Sequence, residues 1–123
     1  MAKILVVDDA KIMRANIKKM LMELGHTITG EAGNGQEGID QFKLFKPDLV
    51  TMDITMPPEG LISDGIDAVK EIIKINPDAK IIMVTSHGEQ DKVIKAIQAG
   101  ASNYILKPLK IDKLEEVIAK VLK

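Results

Sequence analysis

Asp8 and Asp9 follow a short apolar run, Lys3-Ile4-Leu5-Val6-Val7, and Asp53 ends another, Leu49-Val50-Thr51-Met52. Lys107-Pro108 closes a third, Tyr104-Ile105-Leu106. If these runs are strands of one parallel sheet, their C-terminal ends lie along one edge, where ligands bind. An edge that collects acids and a lysine suits a divalent cation and a phosphoryl group. Carboxylates crowded within a few ångströms repel one another, and at least one pKa rises unless a cation relieves the conflict. Mg²⁺ takes oxygen ligands, keeps several waters, and uses one or two carboxylates with a phosphate oxygen. The ammonium of Lys107 suits a carboxylate at rest and a phosphoryl oxygen when charged. Thr85, beside Ser86 at the end of a fourth run, offers a hydroxyl to the same oxygens. Together these residues suit phosphoryl transfer onto a carboxylate. Asp53 would be the nucleophile, Mg²⁺ would neutralise charge, and Lys107 and Thr85 would hold equatorial oxygens.

Taken singly, each piece has a plainer explanation. An Asp pair after a strand also serves as a helix cap. Asp53 could be a solvated strand-end acid, and Lys107 a surface lysine lying over apolar neighbours. Threonine is a good strand residue, and Tyr104, the sole tyrosine, could be core filler. Pro108 leaves open a cis peptide that would aim Lys107 inward.

The elements that must position these groups alternate. Ile4–Val7 is apolar throughout and β-branched, as in a strand buried on both faces. From Ala10 to Leu24, Ile12, Met13, Ile17, Met20, Leu21 and Leu24 recur at helical spacing, and Gly25 stands just past the end. His26–Ala32 reads as a strand. Asn34-Gly35 turns into a helix from about Gln36 to Phe45, stopped by Pro47. Leu49–Asp53 is the third strand, and Ile54–Ser63 a loop. Asp64 caps a helix to about Ile75, closed by Asn76-Pro77. Lys80–Thr85 is a strand, Gln90–Ala99 a helix ending at Gly100, Asn103–Leu106 a strand, and Asp112–Leu122 a helix. Five such βα units predict an α/β fold, a doubly wound parallel sheet with helices on both faces.

The 123 residues suit one domain, 1–123, and 46% hydrophobic content is enough to cover a sheet on both faces. Seventeen basic residues balance eighteen acidic ones, which argues against a nucleic-acid binder working through a basic surface. Without cysteine, disulfides and thiolate metal sites are excluded, and a reducing compartment fits. No signal-like segment precedes the first strand and no apolar run is long enough to span a bilayer, so a cytoplasmic protein without membrane contact is expected.

The joint spacing of the Asp pair, Asp53, Thr85, Tyr104 and Lys107-Pro108 resembles the receiver domain of two-component response regulators, most of all the single-domain chemotaxis (CheY-like) type. The resemblance covers nearly the whole chain. It is carried by Ile4-Leu5-Val6-Val7-Asp8-Asp9, by Asp48 through Pro57, by Ile82-Met83-Val84-Thr85-Ser86, by Ala96 through Ala101, and by Tyr104-Ile105-Leu106-Lys107-Pro108. It implies a flavodoxin-like (βα)5 fold with strand order 2-1-3-4-5. Asp53 matches the phosphoacceptor, Asp8 and Asp9 the metal-binding acids, and the Thr55 backbone carbonyl a further Mg²⁺ ligand. Thr85 matches the switch hydroxyl, Tyr104 the coupled aromatic, and Lys107 the family lysine. The positions of Thr55 and His87 tune phosphate lifetime in the family, although His87 could equally be a plain loop residue.

The implied partners are a CheA-like sensor histidine kinase as donor, a downstream target such as a flagellar motor switch protein, and a phosphatase, with the chain itself a monomer. Phosphorylation would draw Thr85 toward the phosphoryl group and Tyr104 inward. Helical spacing puts Val93 and Ile97 on one stripe and Val117 beside the Leu114-Ile118-Val121 core stripe, and with Ala101 and Tyr104 they are expected to form a partly exposed apolar output patch. The chain would catalyse only its own phosphorylation and dephosphorylation. One departure stands beside the site. The family loop has two residues between Met-Pro and Asp-Gly, whereas six separate Met56-Pro57 from Asp64-Gly65 here, four more. They are either a tolerated surface insertion or a lid or partner contact through Glu59, Leu61 or Ile62. A phosphorelay intermediate would share this fold and site. A haloacid-dehalogenase-like phosphatase would want a second Asp where Thr55 stands, and a pseudo-receiver would not need the intact acids and lysine.

Overall fold

The computed structural model describes residues 2–123. The strands are β1 (Lys3–Val7), β2 (Thr27–Ala32), β3 (Leu49–Asp53), β4 (Ile81–Thr85) and β5 (Asn103–Leu106). The helices are α1 (Lys11–Glu23), α2 (Gly35–Phe45), α3 (Gly65–Ile75), α4 (Gln90–Ala99) and α5 (Ile111–Leu122). All strand pairs are parallel, in the order β2-β1-β3-β4-β5. The predicted fold class is therefore observed, and element ends differ from the sequence reading by a residue or so.

The unbroken apolar runs of β1, β3 and β4 have a direct cause. Successive side chains point to opposite faces, and both faces are covered. Leu5, Val7, Val50, Met52, Ile81 and Met83 pack with α2, α3 and α4. Ile4, Val6, Leu49 and Ile82 pack with α1 and α5. The edge strands β2 and β5 are only partly buried and correspondingly less apolar. Caps follow the chemistry read from the chain. Asn34 accepts from Glu37 N at 2.9 Å, and Asp64 accepts from Ile66 N and Asp67 N at 2.9 and 3.1 Å. Neither Asp8 nor Asp9 caps α1, whose N-cap is Ala10 with no side-chain bond.

The segment between β3 and α3 is more anchored than a surface insertion. Glu59 and Ile62 exchange backbone hydrogen bonds at 2.8 and 3.0 Å around a Gly60-Leu61 turn, with Gly60 at φ 60°. Leu61 at the tip is 96% exposed, but Ile62 turns into the core and is 6% exposed. It lies so close to α2 that a Cβ added at Gly35 would stand 2.5 Å from its Cγ2. Ile62 therefore plugs the α2–α3 junction and cannot also be the partner contact suggested from the sequence. We expect Ile62→Ala to cost about 2–4 kcal/mol, as for a truncated core side chain, and Leu61→Ala to stay within about 0.5 kcal/mol. Urea denaturation measures both, and equal costs would contradict this packing.

Candidate functional site

The strand order reverses between β1 and β3, and the crevice at their C-terminal ends is where an open α/β sheet binds ligands. Parallel register brings the chemistry there. Val7 pairs with Met52, Asp53 with Val84, and Thr85 with Leu106. Asp8 and Asp9 thus leave β1 beside Asp53 at the end of β3, while Lys107 leaves β5 beside Thr85. Gly65 holds the other side. Its N–H donates to Ile54 O at 2.8 Å, and a Cβ there would sit 2.1 Å from the Asp53 carbonyl oxygen. Only glycine lets α3 start this close to the end of β3.

Carboxylate oxygens of Asp8, Asp9 and Asp53 all lie within 4.8 Å of one another. Asp8 and Asp53 are buried and Asp9 is exposed. Lys107 Nζ lies 3.4 Å from Asp53 Oδ1 and 3.7 Å from Asp8 Oδ2. The Lys107-Pro108 peptide is cis, and Lys107 N donates to Thr85 O at 2.7 Å. Burial pushes the Asp53 carboxyl up to about 7, the charges of Asp8 and Asp9 add to that, and Lys107 offsets part of it. Burial also raises Asp8, against the Ala10 N–H and Lys107. Asp8 Oδ1 accepts from Ala10 N at 2.9 Å, but among the described residues its buried Oδ2 has no hydrogen bond. The three carboxylates, one of them with a buried oxygen that lacks a hydrogen bond, form a donor set that fits a hard divalent cation, with the Lys107 ammonium beside them. The same set would be poorly stable with every acid ionised and no cation.

The family model for the response regulator receiver domain matches residues 4–119. The chain belongs to the response regulator receiver domain family. Its relatives include the chemotaxis protein CheY of Thermotoga maritima, 47% identical over 98% of each chain. The chemotaxis protein CheY of Bacillus subtilis is 48% identical over 98% of this chain and 97% of the relative. Among solved structures, the receiver domain of NtrX from Brucella abortus superposes with TM-score 0.90 at 32% identity, over 98% of each chain. A CheX–CheY–BeF3–Mg²⁺ complex from Borrelia burgdorferi gives TM-score 0.90 at 28% identity, over 98% of this chain and 89% of the other.

Within this receiver domain, Asp8, Asp9, Asp53 and Lys107 converge as the spacing predicts, with Thr85 on the adjoining strand end. Thr55 is exposed two residues beyond Asp53, and His87 is exposed two beyond Thr85. The output patch needs correction. Tyr104 (45%) and Ile97 (42%) are exposed and Val93 is half-buried, but Ala101 (7%) and Val117 (3%) are buried. Val117 stands three residues after Leu114 and four before Val121, which is the core stripe of α5 itself. Ala101 packs in the core on the α4 side of the sheet. Their places on the exposed face are taken by Ile94 (58%) and Leu106 (43%). With Thr85, Val93, Ile97 and Tyr104 these line a groove of about 450 Å³.

Sequence reading missed Glu89. Its Oε1 accepts from Ser86 N at 2.7 Å and Thr85 Oγ1 at 3.1 Å, and its Oε2 from Thr55 Oγ1 at 2.5 Å. Ser86-His87-Gly88-Glu89 carries the S-x-x-E spacing of a capping box, but α4 takes Glu89 itself as its N-cap, so Glu89 turns back to Ser86 N from just before the helix.

Proposed function

We propose that this receiver domain is a phosphorylation-activated signalling switch, in chemotaxis, with Asp53 as phosphoacceptor. A carboxylate oxygen of Asp53 bonds to phosphorus as the N–P bond of a kinase phosphohistidine breaks and leaves the imidazole. Water later hydrolyses the acyl phosphate. Lys107 holds one phosphoryl oxygen and the Thr85 hydroxyl another. Asp8, Asp9, Asp53 and the Thr55 carbonyl would hold Mg²⁺, which, when bound, supplies charge neutralisation at the phosphoryl oxygens. The observation that carries this reading is Lys107 at 3.4 Å from an Asp53 carboxylate that also faces Asp8 and Asp9. The chemotaxis proteins among its relatives and the BeF3 and Mg²⁺ of the Borrelia complex support it.

Signal leaves by protein contact. Thr85 turns to the phosphoryl group, Tyr104 moves into the groove beside it, and the face of Val93, Ile97 and Tyr104 changes shape for a target such as a flagellar motor switch protein. A histidine kinase is the donor, and a CheX-like protein is a further partner. A ligand shifts such a switch only through its different affinities for the two states. The metal assignment is tested by calorimetric Mg²⁺ titration. Asp9→Ala should weaken binding about tenfold or more, because a ligand and a charge are lost together. An unchanged titration would contradict it.

A further inference from the structure

Thr85 is fully buried, so its single hydroxyl hydrogen has to be used inside the protein. Two acceptors stand in reach, Glu89 Oε1 at 3.1 Å and the Ser86 carbonyl at 3.3 Å. The carboxylate is the stronger acceptor. Glu89 is itself held at several points. Besides Ser86 N, Thr55 Oγ1 donates to it across the mouth of the site, and Lys92 Nζ donates to Thr55 Oγ1 at 3.4 Å. Burial alone would raise the Glu89 carboxyl, but bonds from Thr55, Ser86 N and Thr85, with Lys92 nearby, hold it below the usual range. One charged side chain thus engages the residue two beyond Asp53 and the hydroxyl at the end of β4.

We propose that Glu89 is a positioning residue that keeps the Thr85 hydroxyl to itself at rest and has to release it when a phosphoryl group occupies Asp53. This rests on the reading of Thr85 as the hydroxyl that receives the phosphoryl group. The one hydrogen of Thr85 cannot serve Glu89 and a phosphoryl oxygen together. Glu89 therefore favours the unphosphorylated arrangement, and the measured affinity for a phosphoryl mimic falls by the fraction of molecules in which Thr85 is free. Without Glu89, Thr85 keeps only the weaker Ser86 carbonyl as a competitor.

The test is calorimetric titration of beryllofluoride with Mg²⁺ on the whole chain, in a double-mutant cycle of Glu89→Ala and Thr85→Ala. Glu89→Gln, which retains an acceptor for Ser86 N and Thr85 but no charge, serves as the conservative variant. Glu89→Ala should tighten binding about fivefold in the Thr85 chain and less than about twofold in Thr85→Ala, with Glu89→Gln between wild type and Glu89→Ala. An equal gain in both backgrounds would mean that Glu89 acts only by repelling the anion, and would overturn the proposal. So would wild-type affinity in both Glu89 variants. If wild type binds no beryllofluoride at all, the phosphoacceptor reading fails first. If it binds and only the cycle fails, that reading stands and the role of Glu89 falls.

Discussion

Asp53→Asn will take up no phosphoryl group from acetyl phosphate and Mg²⁺ under conditions that label the wild-type chain. The expected loss is about a hundredfold or more, because the amide is not a nucleophile and the positioning that drives phosphoryl transfer has nothing left to position. Asp53 is expected to be the acceptor rather than either other acid. Lys107 Nζ is nearer to Asp53 than to Asp8, and Asp9 is exposed. Intact-mass spectrometry over a time course measures the uptake. Labelling of Asp53→Asn at the wild-type rate would show that another side chain is the acceptor.

Stability should fall as pH rises through the weakly acidic range, and Asp53 should be the main reason. Its carboxyl titrates near 3.8 when unperturbed and about 7 in the folded protein. Between those values the unfolded chain has released a proton that the native state keeps, so rising pH favours unfolding; above about 7 the difference is constant. At about 1.4 kcal/mol per pKa unit the cost reaches an upper bound of roughly 4 kcal/mol. Asp8, also raised by burial, acts in the same direction. Asp53→Asn removes this slope, so its advantage over wild type should grow from near zero at about pH 4 to about 3 kcal/mol at about pH 8. Excess Mg²⁺ should close most of that gap by binding the native wild type. Urea denaturation at several pH values checks both, and parallel stability profiles for the two proteins would contradict it.

Most of the scaffold was legible because its signals are local. β3, α4 and β5 have the ends read from apolar runs and turn residues. The acids and lysine were legible too, since in a parallel sheet a residue just after a strand must arrive at one edge. Side-chain exposure was less legible. Val117 was placed beside the α5 stripe, although its spacing from Leu114 and Val121 is that of the stripe. Ile62 sits in a loop with two prolines and a glycine, and only the short Glu59–Ile62 hairpin turns it inward. Glu89 drew no reading from the sequence, where it is one acid in the turn before α4. Its bonds to Thr55 and Thr85 depend on how β3 and β4 end side by side, which no local pattern contains.

One aspartate, Asp53, is expected to carry the phosphoryl group. Wild-type chain labelled with acetyl phosphate and Mg²⁺, then treated with borohydride, should have its acyl phosphate reduced, leaving homoserine in place of the modified aspartate. Peptide mass spectrometry then locates it. Homoserine is expected at position 53, dependent on both acetyl phosphate and Mg²⁺. Homoserine at position 8 or 9 instead, or phosphate held stably on a hydroxyl such as that of Thr85, would contradict it.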